Sequence, residues 1–428
     1  MDQQMGSGQM RVAVAQLGPR RQYAVPMALH QAGMLAHFYT DAWASAPLRA
    51  LAGAIPRRLR PAPLRRLLSW SCPIERENVT SFFSLGLASR WKQRTAQDRS
   101  ELTAAFLWAG ERFNQLIVQS GKLNCDAVYG FHSASRTLFR HCREQGIFCI
   151  LEQSAAPQCL QNAILTRELE SWPDWEPASR DTCASVYAER EAAEWELADL
   201  IVAASDHVAD GLADCCVSPE KCAVVPYGVS AAAFSMPRAP KAPGGPLHVL
   251  FAGAVSLRKG VPYLLSAARM LSTRVCVRIA GPICCNAGRL AAFRPPNVEI
   301  IGRVPRAEMA RHFAWADVFC LPSVSDGLAA VAGDALAAGL PVICTHNTGS
   351  VVRDGVDGYV VPIRDSVALA ERLDKLAGDR ALLAELARNA RQRAREYDGE
   401  SYARRLTGAI RSAARPNAAS TAPAIRTA

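Results

Sequence analysis

DVFCLPSVSDGLAAVAGDALAAGLPVICTHNTGSVVRDGVDGYVVP, running from Asp317 to Pro362, holds three short apolar runs separated by a small-residue stretch and a glycine-rich one. The runs DVFCLPS, PVICT and YVVP have the length and β-branched content of buried strands. Between the first two, VSDGLAAVAGDALAAG is rich in Ala and Leu and predicts a helix starting at Asp326 and Gly327. Strand, helix, strand in close succession is the unit of a parallel sheet. In open sheets of that kind ligands bind beyond the carboxyl ends of the strands, where this segment places its Asp and Gly residues.

The same alternation extends in both directions. Upstream come HVLFAGAV from His248, VCVRIAG from Val275 and VEIIGRV from Val298, with helices expected at Pro262–Leu271, Arg306–Ala316 and, further on, Asp365–Ala377. An earlier series contains RVAVAQL from Arg11, AHFYTD from Ala36, DAVYGF from Asp126, FCILEQ from Phe148, LIVAAS from Leu200 and CAVVPYG from Cys222. Between the two lies SMPRAPKAPGGP (Ser235–Pro246), whose crowded Pro and Gly read as a linker. The chain therefore divides into an N-terminal domain over 1–236, a linker at 237–246 and a second domain over 247–396. Each is expected to be a doubly wound parallel sheet. The Ala/Ser/Thr/Pro-rich stretch 413–428 reads as a disordered tail.

Half of the 428 residues are hydrophobic, enough for sizeable cores, which excludes disorder over most of the chain. The net charge of +10 is concentrated in two places. Between Asp41 and Glu75 there are six Arg and no acid, and after Glu400 there are five Arg and no acid. The rest carries 38 basic against 39 acidic residues, which argues against a nucleic-acid partner. Fourteen Cys occur without a C-x-x-C, and the adjacent pairs Cys215–Cys216 and Cys284–Cys285 lack metal-site spacing. Cys149, Cys276, Cys320 and Cys344 sit in apolar runs and are expected to be buried, reduced thiols, which fits a cytoplasmic location. No signal-peptide core and no apolar run of about 18 residues is present.

Three loops of the second series carry the chemistry. SLRKG sets Arg258 and Lys259 just ahead of a helix. VSDGLAAVAGDALAAG sets Asp334 eight residues after Asp326, ~12 Å of helical rise, roughly the reach of a nucleoside diphosphate sugar from ribose to first sugar. Free N–H groups at a helix start receive phosphate, Lys259 adds positive charge, and an ionised Asp accepts two hydrogen bonds from a diol. On spacing alone the plainer reading is stronger: Asp326 as an N-cap and Asp334 as a solvated helix residue. THNTGSVVRDGVDG is the third loop, its Gly349, Gly355 and Gly358 permitting unusual backbone angles. No strand is followed by G-x-G-x-x-G and no Walker A occurs, which disfavours a dinucleotide or ATP site.

FAGAVSLRKGVPYLL, LPSVSDGLAAVAGDALAAGLPVIC and NTGSVVRDGVDGYVVP resemble the C-terminal domain of family 4 retaining glycosyltransferases. The specific motifs run from about His248 to Pro362. GPRRQYAVPMALHQAGM and ADLIVAASDHVADGL with VVPYGV add looser support in the first half. The resemblance implies the GT-B fold, α/β with two facing Rossmann-like domains, the second holding a nucleotide-sugar donor. A terminal helix at 397–412 is expected to cross back to the first domain.

Carried over residue by residue, the resemblance implies catalytic roles for Asp326, Lys259 and His132. Asp326 would face the donor sugar's hydroxyls and Asp334 would grip the ribose. Gly327, Leu328 and Ala329 would offer backbone N–H groups, and Lys259 would bind phosphate. Gly18 matches the family's glycine loop, with Pro19 where a second glycine is usual. The family's usual Arg is absent, because Ala254 follows Gly253, and Arg258 is the candidate stand-in. Both carboxylates are Asp where the family has Glu.

The implied reaction moves a sugar, with retention, from a nucleotide-diphosphate sugar to a glycan or lipid-linked acceptor in envelope or exopolysaccharide synthesis. It calls for no cofactor and no metal. A separation of ~12 Å is beyond the roughly 5–9.5 Å of a glycosidase pair. The shortened carboxylates and the missing Arg leave two alternatives: a non-catalytic nucleotide-sugar-binding subunit and a nucleotide-sugar epimerase. Arg57, Arg58, Arg60, Arg65 and Arg66, interleaved with Leu and Trp, suit either an anionic membrane surface or a solvated loop.

Overall fold

The computed structural model describes residues 9–43, 54–56, 59, 74–177, 181–229 and 244–414. Arg57, Arg58, Arg60, Arg65 and Arg66 lie outside the described residues, as do most of the linker and the tail from 415 onward.

The first series forms β1 (Val12–Gln16), β2 (Leu35–Thr40), β3 (Val79–Ser81), β4 (Ala127–Phe131), β5 (Phe148–Gln153), β6 (Leu200–Ala203) and β7 (Cys222–Val224). The second forms β8 (Leu247–Ala252), β9 (Val275–Ala280), β10 (Val298–Gly302), β11 (Val318–Leu321), β12 (Val342–Thr345) and β13 (Gly358–Val361). Every residue of β1, β4, β6, β11 and β12 is buried, as expected of parallel strands covered by helices on both faces.

Among the described residues the strands make two parallel sheets, ordered β3-β2-β1-β4-β5-β6-β7 and β10-β9-β8-β11-β12-β13. The order reverses between β1 and β4 and again between β8 and β11. The loops leaving those strands open the two crevices in which such sheets take ligands. The strand not anticipated, β3, is an edge strand pairing Val79 with Phe38; three residues carry too little periodicity to be read.

The domains touch at more than one place. The last helix, Gly399–Ala413, returns to the first domain and adds Tyr402, Leu406 and Ile410 to the core built on Val12, Val14 and Tyr129. In the opposite direction Trp175 leaves the first domain and joins the core of the second. There Trp172 and Trp175 meet Phe293 edge-on at 5.3 and 5.5 Å. Glu168, fully buried just upstream, accepts hydrogen bonds from the Tyr263 hydroxyl at 2.8 Å and Arg364 Nε at 2.5 Å.

Cys149, Cys320 and Cys344 are buried, whereas Cys276, on a β9 face that is partly open, is only half-buried. Among the described residues no group of three or more His, Cys, Asp or Glu is placed to hold a metal ion. No described helix is long and apolar enough to cross a membrane.

Candidate functional site

The helix expected from Asp326 starts later, at Ala330, and ends at Ala337. Asp326 is therefore no N-cap, and Gly327 is not at a helix start. Residues 326–329 are instead a strap laid against the turn after β12. Asp326 N–H donates to Asn347 O at 2.9 Å and Ala329 N–H to Thr348 O at 3.2 Å, bonds that a helix could not offer. Gly349 makes the close approach possible: its φ is 67°, and a Cβ there would collide with Gly327 O. Only the second half of the Asp326–Asp334 interval is helical, so the ~12 Å rise expected for a continuous helix does not describe it.

Freed from capping, Asp326 turns to the loop after β8. Its carboxylate pairs with Lys259 Nζ and lies 3.4 Å from Arg258 Nη1. The two loops are stitched by Val324 N–H donating to Arg258 O at 3.0 Å. Burial lowers the Lys259 pKa, and Asp326 beside it works in the other direction. Gly327 N–H donates to Asp326 Oδ1 at 3.1 Å, so this amide and that of Ala329 already have acceptors within the protein. Asp334 sits one turn into the Ala330–Ala337 helix, 3.8 Å from Arg306. Burial raises its pKa against the pull of Arg306 and then Arg21.

The first domain closes over this strap. Ser205 Oγ donates to Gly327 O at 2.6 Å, and a Cβ on Gly327 would strike Ser154 O. Gly18, at φ 69°, turns the chain out of β1 and donates its N–H to Asp41 at 2.7 Å. Three residues later Arg21 reaches across and donates to Leu328 O at 3.1 Å. His132 is buried at the carboxyl end of β4, its Nδ1 within 3.3 Å of both Glu152 O and Ser154 N. Burial, helped by the charge of Arg20, pushes its pKa down to about 3, so the ring is neutral. Behind it, Glu152 accepts from the Tyr129 hydroxyl at 2.8 Å and from the Tyr227 hydroxyl. Burial pushes that carboxyl up to about 7, with Tyr129, Arg20 and Arg21 opposing.

Two cavities adjoin here. A cleft of about 740 Å³ runs between the domains, with Arg21 and Tyr227 on one wall and Leu328, Ala329, Gly333 and Asp334 on the other. A smaller one of about 500 Å³ lies in the second domain beyond β8, β9 and β10, lined by Gly253, Gly281, Arg303 and Phe313 among others. Arg306, Ala330 and Asp334 line both. The structure thus brings Asp334 to the cavities and places Lys259, Arg258 and Asp326 together at the strap, while Gly18 supports the facing loop. Sequence reading missed Arg21, Arg306 and Glu152. The doubled Arg after Gly18 and a Glu closing the apolar run FCIL were the available signals.

Two facing parallel-sheet domains with a cleft between the carboxyl ends of their strands are the GT-B architecture of glycosyltransferases. Residues 246–379 match the family model of the glycosyl transferases group 1. Among curated proteins, the colanic acid biosynthesis glycosyltransferase WcaL of Salmonella typhimurium is 30% identical over 230 residues, 50% of this chain and 56% of that protein. A D-inositol 3-phosphate glycosyltransferase of Xylanimonas cellulosilytica is 32% identical over 168 residues, 36% of this chain and 40% of its own length. The chain matches about half the length of these relatives. Among solved structures, Anabaena HepE in complex with UDP and glucose is similar in fold, with a TM-score of 0.59 at 13% identity over 94% of this chain and 100% of that one.

Proposed function

We propose that the protein is a retaining glycosyltransferase of polysaccharide biosynthesis, moving a sugar from a nucleotide-diphosphate sugar to a glycan or lipid-linked acceptor without a metal. The observation that carries this is the pair of adjoining cavities that share Asp334 and Arg306. The smaller one accepts a base, Asp334 takes the ribose hydroxyls, and the interdomain cleft is left for the sugar and its acceptor. A relative assigned to colanic acid synthesis and a solved neighbour holding UDP and glucose support the same reading.

Departure of the diphosphate develops negative charge, which Lys259 and Arg258, paired with Asp326 at the strap, would stabilise. In the structure Asp326 pairs with both, so an incoming phosphate competes with a carboxylate for them. The first domain offers its outer face to an anionic membrane, which keeps the enzyme at the cytoplasmic side of its lipid-linked acceptor.

The test is turnover. Purified protein given a panel of nucleotide sugars and envelope glycan or glycolipid acceptors releases nucleoside diphosphate only when donor and acceptor are both present. The anomeric configuration is retained, and chelation of divalent ions has no effect. Lys259→Ala lowers kcat by roughly 100-fold, the usual loss when one charge-stabilising group is removed. Donor binding without turnover would turn the reading to a binding subunit, and isomerisation of the donor alone would turn it to an epimerase.

A further inference from the structure

Two thiols from distant parts of the chain meet at the surface of the first domain. Cys159 Sγ lies 3.3 Å from Cys215 Sγ. Cys159 is in the first turn of the helix Gln158–Ser171, and Cys215 follows the helix Asp206–Asp214. Packing one turn earlier sets the contact. Gly211 comes so close to the first of these helices that a Cβ on it would meet Pro157 Cδ at 2.9 Å and Leu160 Cδ1 at 3.4 Å. Residues four apart on a helix share a face, so Cys215 is directed at the same helix end as Gly211.

Both sulfurs are carried on fixed backbone. Gln158 N–H donates to the buried Glu191 carboxyl at 2.8 Å, and Gln161 Nε2 donates to Ala156 O at 2.6 Å. Opposite them, Cys215 N–H donates to Gly211 O at 3.2 Å. Cys216, with φ of 63°, then ends the helix, its N–H on Ala213 O at 2.9 Å and that of Val217 on Leu212 O at 3.0 Å.

Among the described residues, other neighbouring cysteines are sealed off. Cys142 and Cys149 are both buried, as are Cys320 and Cys344, beyond the reach of a dissolved reagent. Cys159 is exposed and Cys215 half-buried. Burial, then the hydrogen bond with Cys159, push the Cys215 pKa up, and the charges of Asp214 and Glu191 add to this. A reagent therefore meets Cys159 first and finds a second thiol waiting behind it.

The two helices also carry contacts of the first domain to the second. Glu168, on the first helix, accepts from Tyr263 and Arg364. The second helix is capped by Ser205, which donates to Gly327 O, and bears Asp210, which lies 2.8 Å from His346 Nε2.

We propose that Cys159 and Cys215 form a reversible oxidation site, closed by low-molecular-weight disulfides into a bridge that ties these two helices together. The Cys159 thiolate attacks one sulfur of the reagent, forming a mixed disulfide and expelling the first small thiol. Cys215 then gives up its proton and attacks the Cys159 sulfur, and the bond to the reagent breaks to release the second. The protein loses two electrons and two protons, and the reagent leaves as two thiols. Excess dithiol reverses both steps. Oxidation stiffens the pair of helices that grips the strap and the Tyr263 helix.

The test uses the full chain, reduced, freed of reductant, incubated with oxidised glutathione and mapped by peptide mass spectrometry. The expected product links Cys159 to Cys215, is lighter by two hydrogens, and disappears on adding dithiothreitol. C215S keeps glutathione on Cys159, because the resolving sulfur is gone, whereas C216S closes the bridge as the wild type does. In the bridged wild type, hydrogen exchange at the Asp326 and Ala329 amides slows roughly threefold or more, and in C215S treated alike it does not. The wild-type map stands by itself if a variant fails to fold. Glutathione that stays on Cys159 of the wild type, or that settles only on Cys216 and Cys284, overturns the site. A bridge that leaves exchange at the strap unchanged overturns its reach to the second domain.

Discussion

Glu152 is a buried carboxyl held by two tyrosine hydroxyls and standing behind the two arginines of the β1 loop. Its pKa rises from 4.5 to about 7 because burial disfavours the charged form more than Tyr129, Arg20 and Arg21 favour it. Between those two values the native protein binds a proton that the unfolded chain has released. Stability contributed by this group is therefore full below pH 4.5 and is lost as pH rises through about 7. His132 runs the other way: neutral when folded, it favours the native state more as pH rises from about 3 to 6.5. Replacing Glu152 by Gln removes the first slope and leaves the second. Urea unfolding at pH 4.5 and pH 8 checks this, with the wild type losing up to about 3 kcal/mol relative to E152Q between them. Equal slopes in the two proteins would sink the assignment. Neither behaviour is visible in FCILEQ, because burial of a charge is decided by what packs over the strand end, here Tyr227 from a segment 75 residues away.

At the scale of elements, the sheets were legible because buried parallel strands are short apolar runs regardless of context. The strap at 326–329 was not. Its Ala-rich composition favours a helix, but the turn at His346–Thr348 and the loops of the first domain take up its N–H and C=O groups first. Lys259, Asp326 and Asp334 were singled out by resemblance of their motifs, whereas which cation each carboxylate meets depends on loops brought together by the fold. A second element bears on the membrane proposal. The helix Phe83–Thr95 exposes Phe83, Leu87 and Trp91 at four-residue intervals, 45%, 54% and 66% accessible. It carries Lys92 and Arg94, with Arg90 turned to Asp41 at 3.7 Å, and on the next helix Phe106 and Trp108 are also exposed, Lys92 lying 5.0 Å from the Trp108 ring centroid. Burying Leu and Trp in an interface contributes about 1.5–3 kcal/mol for each large side chain, and each basic residue near an anionic surface about 1 kcal/mol. Flotation with phosphatidylglycerol vesicles is expected to carry the protein, and phosphatidylcholine vesicles far less. Replacing Leu87 and Trp91 with Ser is expected to weaken binding at least tenfold. Undiminished flotation of that variant would remove the helix from the proposal.

For the molecule as a whole, the arrangement of the domains depends on segments that each leave their own domain. Trp175 and Glu168 anchor the first domain to the second, and Tyr402, Leu406 and Ile410 bring the end of the chain back to the first. The two βα series were readable from composition, but these exchanges were not, since a Trp or a Leu does not announce which core it enters. Leu406 is fully buried among first-domain residues, so Leu406→Ala costs about 2–5 kcal/mol of stability to that domain. Differential scanning calorimetry should then resolve a first transition that moves down while a later one stays put. A single transition shifted as a unit would mean that the domains unfold together.

The return of the final helix also sets an order of events on the ribosome. Domains usually fold in the sequence in which they emerge, at about 5–20 residues per second. Here the first domain lacks Tyr402, Leu406 and Ile410 until after every described strand of the second sheet, the last ending at Val361, has been made. The first domain is thus completed only after the second, and the part of its core built on Val12, Val14 and Tyr129 waits for Tyr402, Leu406 and Ile410 while a whole second domain is translated.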